Sequence, residues 1–301
     1  PRNNGRNTDW GMTGHVDCVV LASNGGEDRA VIRPAEGGRL EELVLGGVKV
    51  IGDPHLMAYT DSYAAAILFP FANRVADGRY TFEGAYYQLS INETGRGHAL
   101  HGLVYDREFR VISSEDREEE KSVTLEYVAG GVDMGFPFSF GLKLIYTLSK
   151  LGLSLMVVVE NLGADVLPYT LGWHPYFLSS DRGKSQLNFS GVHSYPTDAQ
   201  SLSSVSVPNP LDELTTIGDR TFDDTFSLER GTVTYTTPGH AVVVTSDALQ
   251  GFLQVYTPPE SQAVAIEPTT GISDSFNHGI GLAKLPPSAS AQVTWTVRRI
   301  A

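Results

Sequence analysis

The chain has 301 residues and a formal net charge of −13, with 35 acidic residues against 22 Lys and Arg. This charge repels nucleic acid and anionic membrane surfaces, and no apolar run approaches the roughly 18 residues that a membrane helix needs. We therefore expect neither a nucleic acid nor a membrane as partner, and instead a small neutral molecule.

The number of cysteines indicates the cellular compartment, and the composition along the chain indicates the domain organisation. One cysteine, Cys18, cannot form an intrachain disulfide framework and is typical of a reducing compartment, so we expect a cytoplasmic location. Residues 1–14 are polar and lack the apolar segment of a signal peptide, and we interpret them as a flexible arm or the remnant of a tag. Residues 15–301 show no linker-like change in composition and are predicted to form one domain.

The first third of the chain predicts a β-meander, because short apolar stretches are separated by glycine pairs that favour tight turns. Residues 62–68 are rich in Ala and predict a turn or two of helix that ends before Pro70. Strands are expected at residues 17–21, 30–33, 39–51, 80–82 and 86–91.

From Ser122 onward, apolar residues alternate with polar or small ones, which is the pattern of antiparallel strands with one solvated face. The glutamate-rich residues 116–121 are interpreted as a solvated connection. Further strands are expected at residues 123–127, 142–148, 153–159, 185–189, 232–236, 241–245, 252–256, 263–266 and 291–297. Many strands with almost no helix predict an all-β fold, a large antiparallel β-sandwich.

One histidine is constrained by its neighbours. His174 lies in the segment LGWHPYF, between Trp173 and Pro175. Because proline fixes the following backbone and disfavours a helix at His174, we expect the imidazole to project from a strand end into a cleft walled by Trp173 and Tyr176. The alternative is a core histidine satisfied by one backbone hydrogen bond.

Glu267 is the carboxylate that the sequence singles out. It ends the apolar strand VAI and is followed at once by Pro268, which places it at a strand terminus. A partly buried glutamate has a raised pKa, the direction that suits a general base. The alternative, which does not exclude the first, is a salt bridge to an arginine such as Arg74.

Other polar residues that packing does not readily explain lie in four more segments. His98 and His101 are three residues apart in a Gly-rich, non-helical stretch without cysteine, so no metal site is expected. The chain lacks both the GxxxxGK[ST] phosphate loop and the GxSxG elbow of Ser-His-Asp hydrolases. The remaining candidates are Asn73, Arg74, Asp223, Asp224, Asp274 and Asn277.

A base carboxylate, an acid imidazole and further hydrogen-bonding groups suit a reaction that removes one proton from a small molecule and delivers another to it. Opening of a pyranose ring is such a reaction. A carboxylate takes the proton of the anomeric hydroxyl while an imidazolium protonates the ring oxygen, and each positioned group contributes roughly 10²–10⁴-fold. This chemistry requires no cofactor, and none is expected.

Five segments in order resemble the aldose 1-epimerases (galactose mutarotases): NRVADGRYTFEGAYYQL, HALHG, GWHPYF, FDDTF and IEPTTGISDSFN. The resemblance covers the chain after the N-terminal arm. It implies a galactose-mutarotase-like β-sandwich, also called a supersandwich, with the sugar on one open face. It further implies Glu267 as general base, His174 as general acid, His101 as a second active-site imidazole, and Asp223 and Arg74 as ligands of sugar hydroxyls.

Three positions depart from the pattern of the galactose mutarotases. Leu103 replaces a second glycine after His101, Trp173 replaces an Asn before the acid histidine, and Asp224 replaces a histidine that commonly follows the aspartate. We expect these residues to line the pocket, with Trp173 and Asn73 completing the substrate-binding set. We therefore still expect catalysis, but we do not expect specificity for galactose. This combination indicates the broader, epimerase-related branch of the family.

Other functions remain open. A hexose-6-phosphate 1-epimerase would gather basic residues such as Arg74 and Arg96 at the phosphate, although no obvious Arg/Lys cluster is present. A non-catalytic carbohydrate-binding protein of the same fold would stack aromatic rings such as Phe71 on the sugar. A glycoside hydrolase would use Asp223 and Glu267 at the separations that such carboxyl pairs require.

The sequence does not distinguish a monomer from a homodimer, and one of these two states is expected.

Overall fold

The computed structural model describes residues 17–54, 57–131 and 133–300, so the predicted arm at residues 1–14 lies outside the described residues. Strands account for 49% of the structure and helices for 5%, which confirms the predicted all-β class. None of the helices in these ranges has the length and apolar character of a membrane span.

The elements follow one another as short strands, then long ones, with two four-residue helices. The first half contains β1 (Val19–Ala22), β2 (Arg29–Arg33), β3 (Arg39–Leu45), β4 (Val48–Ile51), α1 (Tyr59–Ser62), β5 (Ile67–Leu68), β6 (Arg74–Val75), β7 (Arg79–Phe82), β8 (Ala85–Gln88), β9 (Ala99–Leu100), β10 (Arg110–Asp116), β11 (Glu120–Gly130) and β12 (Ser139–Ser149). The second half contains β13 (Gly152–Asn161), β14 (Leu167–Tyr169), β15 (Gly172–Trp173), β16 (Tyr176–Phe177), β17 (Gln186–Phe189), β18 (His193–Tyr195), β19 (Val207–Pro208), β20 (Leu214–Thr216), β21 (Asp223–Ser227), β22 (Thr232–Thr236), β23 (Ala241–Ser246), β24 (Phe252–Tyr256), β25 (Val264–Thr269), α2 (Ser275–His278), β26 (Ala283–Leu285) and β27 (Ser290–Arg299).

Two large antiparallel sheets form the sandwich. The first has the order β1-β2-β3-β4-β16-β25-β24-β21-β18-β19, with β15 beside β25 and β5 beside β15. The second has the order β10-β11-β12-β13-β27-β23-β22-β17-β20. Alternate residues of both sheets meet in one hydrophobic cluster, for example Val264 and Ile266 of β25 with Leu155 and Val157 of β13. The other face of the first sheet is therefore free to carry polar groups.

A further layer, residues 57–105, borders this outer face and also packs into the core, for example through Phe69, whose ring meets Phe140 of β12. It contains α1, β5 of the first sheet, and the short strands β6 to β9, which form two small sheets, β6-β9 and β7-β8. Ala64 of this layer packs with Tyr176 and Ala265 of the first sheet. The space between the sheet and this layer is where the candidate residues meet.

Most of the predicted strands are confirmed, but two local predictions are wrong. Residues 62–68 do not form a helix, because α1 already ends at Ser62 and the left-handed backbone of Tyr63 (φ 51°) and Ala65 (φ 56°) leads into β5. Residues 116–121 are a connection only at 117–119, since β10 and β11 extend into the rest. β10 was not predicted because its side chains are almost all exposed and carry no apolar alternation.

Candidate active site

The outer face of the first sheet carries a row of polar side chains on three neighbouring strands. Side chains alternate along a strand, so Ile266 of β25 lies in the core and Glu267 lies on the outer face. Gln254 of β24 pairs directly with Glu267, and Thr225 of β21 pairs directly with Gln254. Directly paired residues share a face, so sheet register alone brings these three groups together.

Asp223 extends this row and is held by Gln254. Gln254 Nε2 donates a 2.9 Å hydrogen bond to Asp223 Oδ1, and its Oε1 accepts one from the Thr225 hydroxyl. The amide therefore has one orientation, with its nitrogen towards Asp223. Gln254 was missed in the sequence, although it is a polar residue in the otherwise apolar strand FLQVY.

His174 lies at an interruption between β15 and β16. Its N–H donates to Ala66 O (3.1 Å), its carbonyl accepts from Ala65 N (2.7 Å), and Pro175 O accepts from Ile266 N (3.2 Å). The backbone is thus fixed on both sides although no strand runs through it. The side chain lies beside β25, where His174 Nε2 is 3.4 Å from Glu267 Oε1.

Burial sets the protonation of this pair. The side chains of His174 and Glu267 are only 6% and 3% exposed. Burial raises the pKa of Glu267 well above its usual value, and the charge of Asp223 raises it further while Arg74 opposes the shift. Burial lowers the pKa of His174 to about 4. Between these two pKa values the pair holds one proton, which lies on the carboxyl group.

His101 is held against His174 by a turn that requires glycine. His101 (φ 60°) and Gly102 (φ 81°) are both left-handed, and a Cβ on Gly102 would lie 2.2 Å from Phe69 O. The His101 and His174 rings meet edge to face, with centroids 5.2 Å apart. Burial, then the neighbouring His174 and Arg74, hold the pKa of His101 well below its usual value.

Arg74 does not pair with Glu267, so that alternative is wrong. Its Nε and Nη2 donate to the two carboxylate oxygens of Glu93 at 2.7 and 2.8 Å, and its Nη1 donates to Asn73 Oδ1 at 3.1 Å. Glu93 also binds Arg96. Asn73 and Glu93 therefore orient the Arg74 guanidinium, whose charge acts on both Glu267 and His101. Sequence reasoning missed Glu93.

The prediction that Trp173 walls the cleft and binds substrate is wrong. Trp173 is fully buried, and its ring stacks on Trp295 of the second sheet with centroids 6.1 Å apart. It directly precedes His174 and so points to the opposite face, into the core. Asp224 likewise follows Asp223 on the other face of β21, and Leu103 packs against the core. These departures from the family pattern therefore do not line the pocket as expected.

The remaining candidates hold the covering layer in place. His98 Nδ1 accepts from Asp77 N at 3.1 Å. Asp274 Oδ1 accepts from Ala76 N (2.8 Å) and from Asn277 Nδ2 (2.7 Å), which ties α2 to the backbone after β6. Over the described ranges, no group of three or more His, Cys, Asp or Glu is placed to hold a metal ion.

The site therefore combines a buried carboxyl group and a buried imidazole in contact, a second imidazole beside them, and fixed polar groups on either side. Glu267 Oε1 and His174 Nε2 are close enough to exchange protons with two adjacent oxygen atoms of one bound molecule. Asp223 and Gln254 continue the polar row beside Glu267, and the charge of Arg74 acts on that carboxyl group. This arrangement can carry out acid–base chemistry on a small molecule.

Comparisons of the sequence and of the structure with known proteins agree on one family. A family model described as aldose 1-epimerase matches residues 19–296. The chain is 29% identical over 285 residues to the uncharacterized protein YihR of Escherichia coli K12, with 90% of each chain covered. It is 27% identical over 150 residues to the galactose mutarotase of Bos taurus, which covers 50% of this chain and 41% of that protein. A crystal structure of a galactose mutarotase-like protein from Clostridium acetobutylicum matches with a TM-score of 0.82 at 20% identity, covering 94% of this chain and 95% of the other.

Proposed function

The chain belongs to the aldose 1-epimerase family, and we propose that it is an isomerase that interconverts the α and β anomers of a hexose by opening and closing the pyranose ring. The observation that carries this proposal is the 3.4 Å contact between Glu267 Oε1 and His174 Nε2. In a pyranose, the hydroxyl oxygen O1 and the ring oxygen O5 are both bonded to C1. A base and an acid this close together reach both oxygens at once.

In the opening step, the Glu267 carboxylate removes the proton of the anomeric hydroxyl. The C1–O1 bond becomes a carbonyl, the C1–O5 bond breaks, and the His174 imidazolium protonates O5. Rotation about C1–C2 then presents the other face of the carbonyl to O5. In the closing step, neutral His174 takes the O5 proton as O5 attacks C1, and Glu267 returns a proton to O1. Each positioned group contributes roughly 10²–10⁴-fold.

The proton count of the pair fits this cycle. Opening requires ionised Glu267 and protonated His174, whereas without a ligand burial favours the neutral form of both groups. The two forms differ only in the position of one proton. We propose that a bound sugar, whose hydroxyl groups hydrogen-bond to both side chains, favours the ionised form of the pair, so that no proton has to enter from solvent.

The charges around the site favour a free hexose over a hexose 6-phosphate. Arg74 already binds both oxygens of Glu93, so little of its charge remains for a phosphate. The charge of Asp223 lies on the same face and repels a dianion. The galactose mutarotase relative supports a hexose as the substrate class.

A non-catalytic sugar-binding protein is the less favoured reading. Placing an ionisable carboxyl group and an imidazole together in a buried site carries a desolvation penalty, and hydroxyl recognition alone does not need it. Neutral hydrogen-bonding groups such as Gln254 would bind a sugar without that penalty.

Exchange NMR of the anomeric protons tests the proposal, using freshly dissolved α-anomers of glucose, galactose and their 6-phosphates. We expect faster equilibration of a free hexose, and a loss of about 10²–10⁴-fold in Glu267→Gln and in His174→Ala. Glu160→Gln, at a glutamate of the second sheet that pairs with Lys143, is the matched control and should keep full activity. Wild-type rates in both site variants, or no acceleration of any of the four sugars, would contradict the proposal.

A further inference from the structure

The two imidazoles of the site are oriented without the hydrogen bonds that usually fix a catalytic histidine. His101 Nδ1 is buried and has no hydrogen-bond partner in the described part of the chain. His174 Nδ1 is buried too, and has no partner there beyond its own backbone. A carboxylate or carbonyl acceptor at Nδ1 commonly sets the ring angle of such a residue, so another contact must set it here.

Aromatic packing supplies that contact. Tyr176 stacks on His174, with centroids 5.1 Å apart and planes at 30°. The His101 ring meets the His174 ring edge to face, with centroids 5.2 Å apart. The Tyr63 ring packs on His101, with centroids 4.7 Å apart. Tyr105 closes the row against Tyr63 at 4.9 Å. The two histidines are therefore enclosed in a continuous row of five rings.

Tyr176 is itself rigidly placed. It is almost completely buried, its backbone pairs with Ala265 of β25, and its hydroxyl donates to Ser62 O at 3.2 Å. Burial raises the pKa of its phenol well above the usual value, so the ring stays neutral. A neutral phenol ring presents the negative face of its quadrupole to a stacked group.

The proposed acid has to carry a positive charge in this apolar setting. Glu267 is the anionic group that contacts His174, at 3.4 Å. His101 is the titratable ring on its other side, and Arg74 acts on both Glu267 and His101. A cation within about 6 Å of an aromatic centroid is stabilised by the ring face, most strongly when both are desolvated.

We propose that Tyr176 is a positioning residue for the acid, because its ring face fixes the orientation of His174 and stabilises the imidazolium form. The effect belongs to the ring and not to the hydroxyl, which points away to Ser62. This inference rests on the proposed function for its kinetic consequence, but not for its effect on the titration of His174.

The test compares two rings of nearly the same shape and opposite quadrupole at position 176. Tyr176→Phe keeps the negative face, loses only the hydrogen bond to Ser62 O, and is the reference for kcat, KM and the pKa of His174. Pentafluorophenylalanine at position 176 reverses the quadrupole and should lower kcat about tenfold at unchanged KM. It should also lower the pKa of His174, followed by ¹⁵N NMR with the signal assigned from His174→Ala. The fluorinated ring is somewhat larger than phenyl, so thermal unfolding of both variants checks that each one is folded.

Tyr86 of β8, which is 63% exposed, is the matched control: the same two replacements there should change nothing. Equal kcat and equal His174 titration for the two rings at position 176 would overturn the inference. Equal losses in both variants would do so as well, because they would assign the effect to the hydroxyl. If the wild-type protein accelerates no sugar, the proposed function fails, while the titration still decides the role of Tyr176.

Discussion

Gln254 on β24 lies directly opposite Glu267 on β25 and places a neutral amide between that carboxyl group and Asp223. The amide orients Asp223 through a 2.9 Å hydrogen bond and adds no charge to a face that already carries two carboxyl groups. It is therefore the residue that allows both acids to occupy one face.

Replacement of Gln254 should weaken substrate binding more than turnover. In Gln254→Leu the carboxylate of Asp223 loses its donor and the Thr225 hydroxyl loses its acceptor. Because a hydrogen bond to a charged group contributes about 1.5–3 kcal/mol, we expect KM to rise at least about tenfold with kcat little changed. Steady-state rates from anomeric NMR measure both. Gln186→Leu, at a glutamine that bonds Thr216 in the second sheet, is the control, and a fall in kcat alone would contradict the assignment.

The rate should depend on pH through the shared proton of Glu267 and His174. On the acid side, below about pH 4, the imidazole gains a proton while the carboxyl group keeps its own, so no base remains. On the alkaline side, above the raised pKa of Glu267, the pair loses its last proton and no acid remains. We expect kcat to show a plateau bounded by these two limbs once the spontaneous reaction is subtracted. A profile with a single limb would contradict the shared-proton mechanism.

The same pKa shift predicts that Glu267 lowers stability at high pH. Its folded-state pKa lies above the unfolded value of 4.5, so its contribution to stability is complete below that value and is lost as pH rises through the folded pKa. Glutamine cannot ionise. The free energy of unfolding of Glu267→Gln should therefore exceed that of the wild type by an amount that grows with pH. Urea denaturation at acid and alkaline pH measures it, and a difference that stays constant or falls as pH rises would contradict the assignment.

The ion pair of Arg74 and Glu93 should be important for stability as well as for the site. Its side chains are 10% and 14% exposed, and breaking a buried pair from one side costs about 3–5 kcal/mol. Arg74→Met and Glu93→Leu should each lower the free energy of unfolding by roughly that amount, and the double variant by much less than their sum.

A second arginine–glutamate fork provides the control. Arg33 and Glu41 form the same two-bond arrangement at 2.9 and 3.0 Å, but with side chains 32% and 29% exposed. Exposed pairs contribute about 0–1 kcal/mol, so Arg33→Met should have little effect. Equal losses at the two forks would show that burial does not govern the contribution of Arg74 and Glu93.

Local sequence signals were sufficient for some residues of the site. The proline after His174 marks a break in extended backbone, between β15 and β16, and His174 lies in the candidate site. The strand terminus predicted at Glu267 is wrong, because β25 continues through Pro268 to Thr269 and Glu267 lies inside it. Period-2 alternation predicted the long strands β11, β12 and β13 of the second sheet, because one face of each lies in the core. These features depend on neighbours along the chain, which the sequence shows directly.

The residues that were missed or misplaced depend on contacts between distant segments. Gln254 is defined by strand register with β21 and β25, and Glu93 by an ion pair across the β6–β9 layer. Trp173 was assigned to the wrong face because the face that β15 presents to the core follows from its pairing with β25 and β5. Propensity predicts a helix at residues 62–68, but hydrogen bonds from this segment to His174 impose another backbone.

We expect that Gly102 cannot be replaced by a larger residue for steric reasons. Gly84, which has the same backbone conformation but open space around it, serves as the comparison. Gly102 and Gly84 have the same φ of +81°, but a Cβ on Gly102 would lie 2.2 Å from Phe69 O, whereas one on Gly84 meets nothing within 4 Å. Gly84→Ala should thus lose only the cost of a left-handed alanine, about 1 kcal/mol. Gly102→Ala carries the same cost and must also displace the Phe69 backbone or His101, so we expect a further loss of stability and a large fall in kcat. Thermal unfolding and anomeric exchange measured on both variants separate the two effects. If Gly102→Ala matched Gly84→Ala in both, the turn would not be what holds His101 against His174.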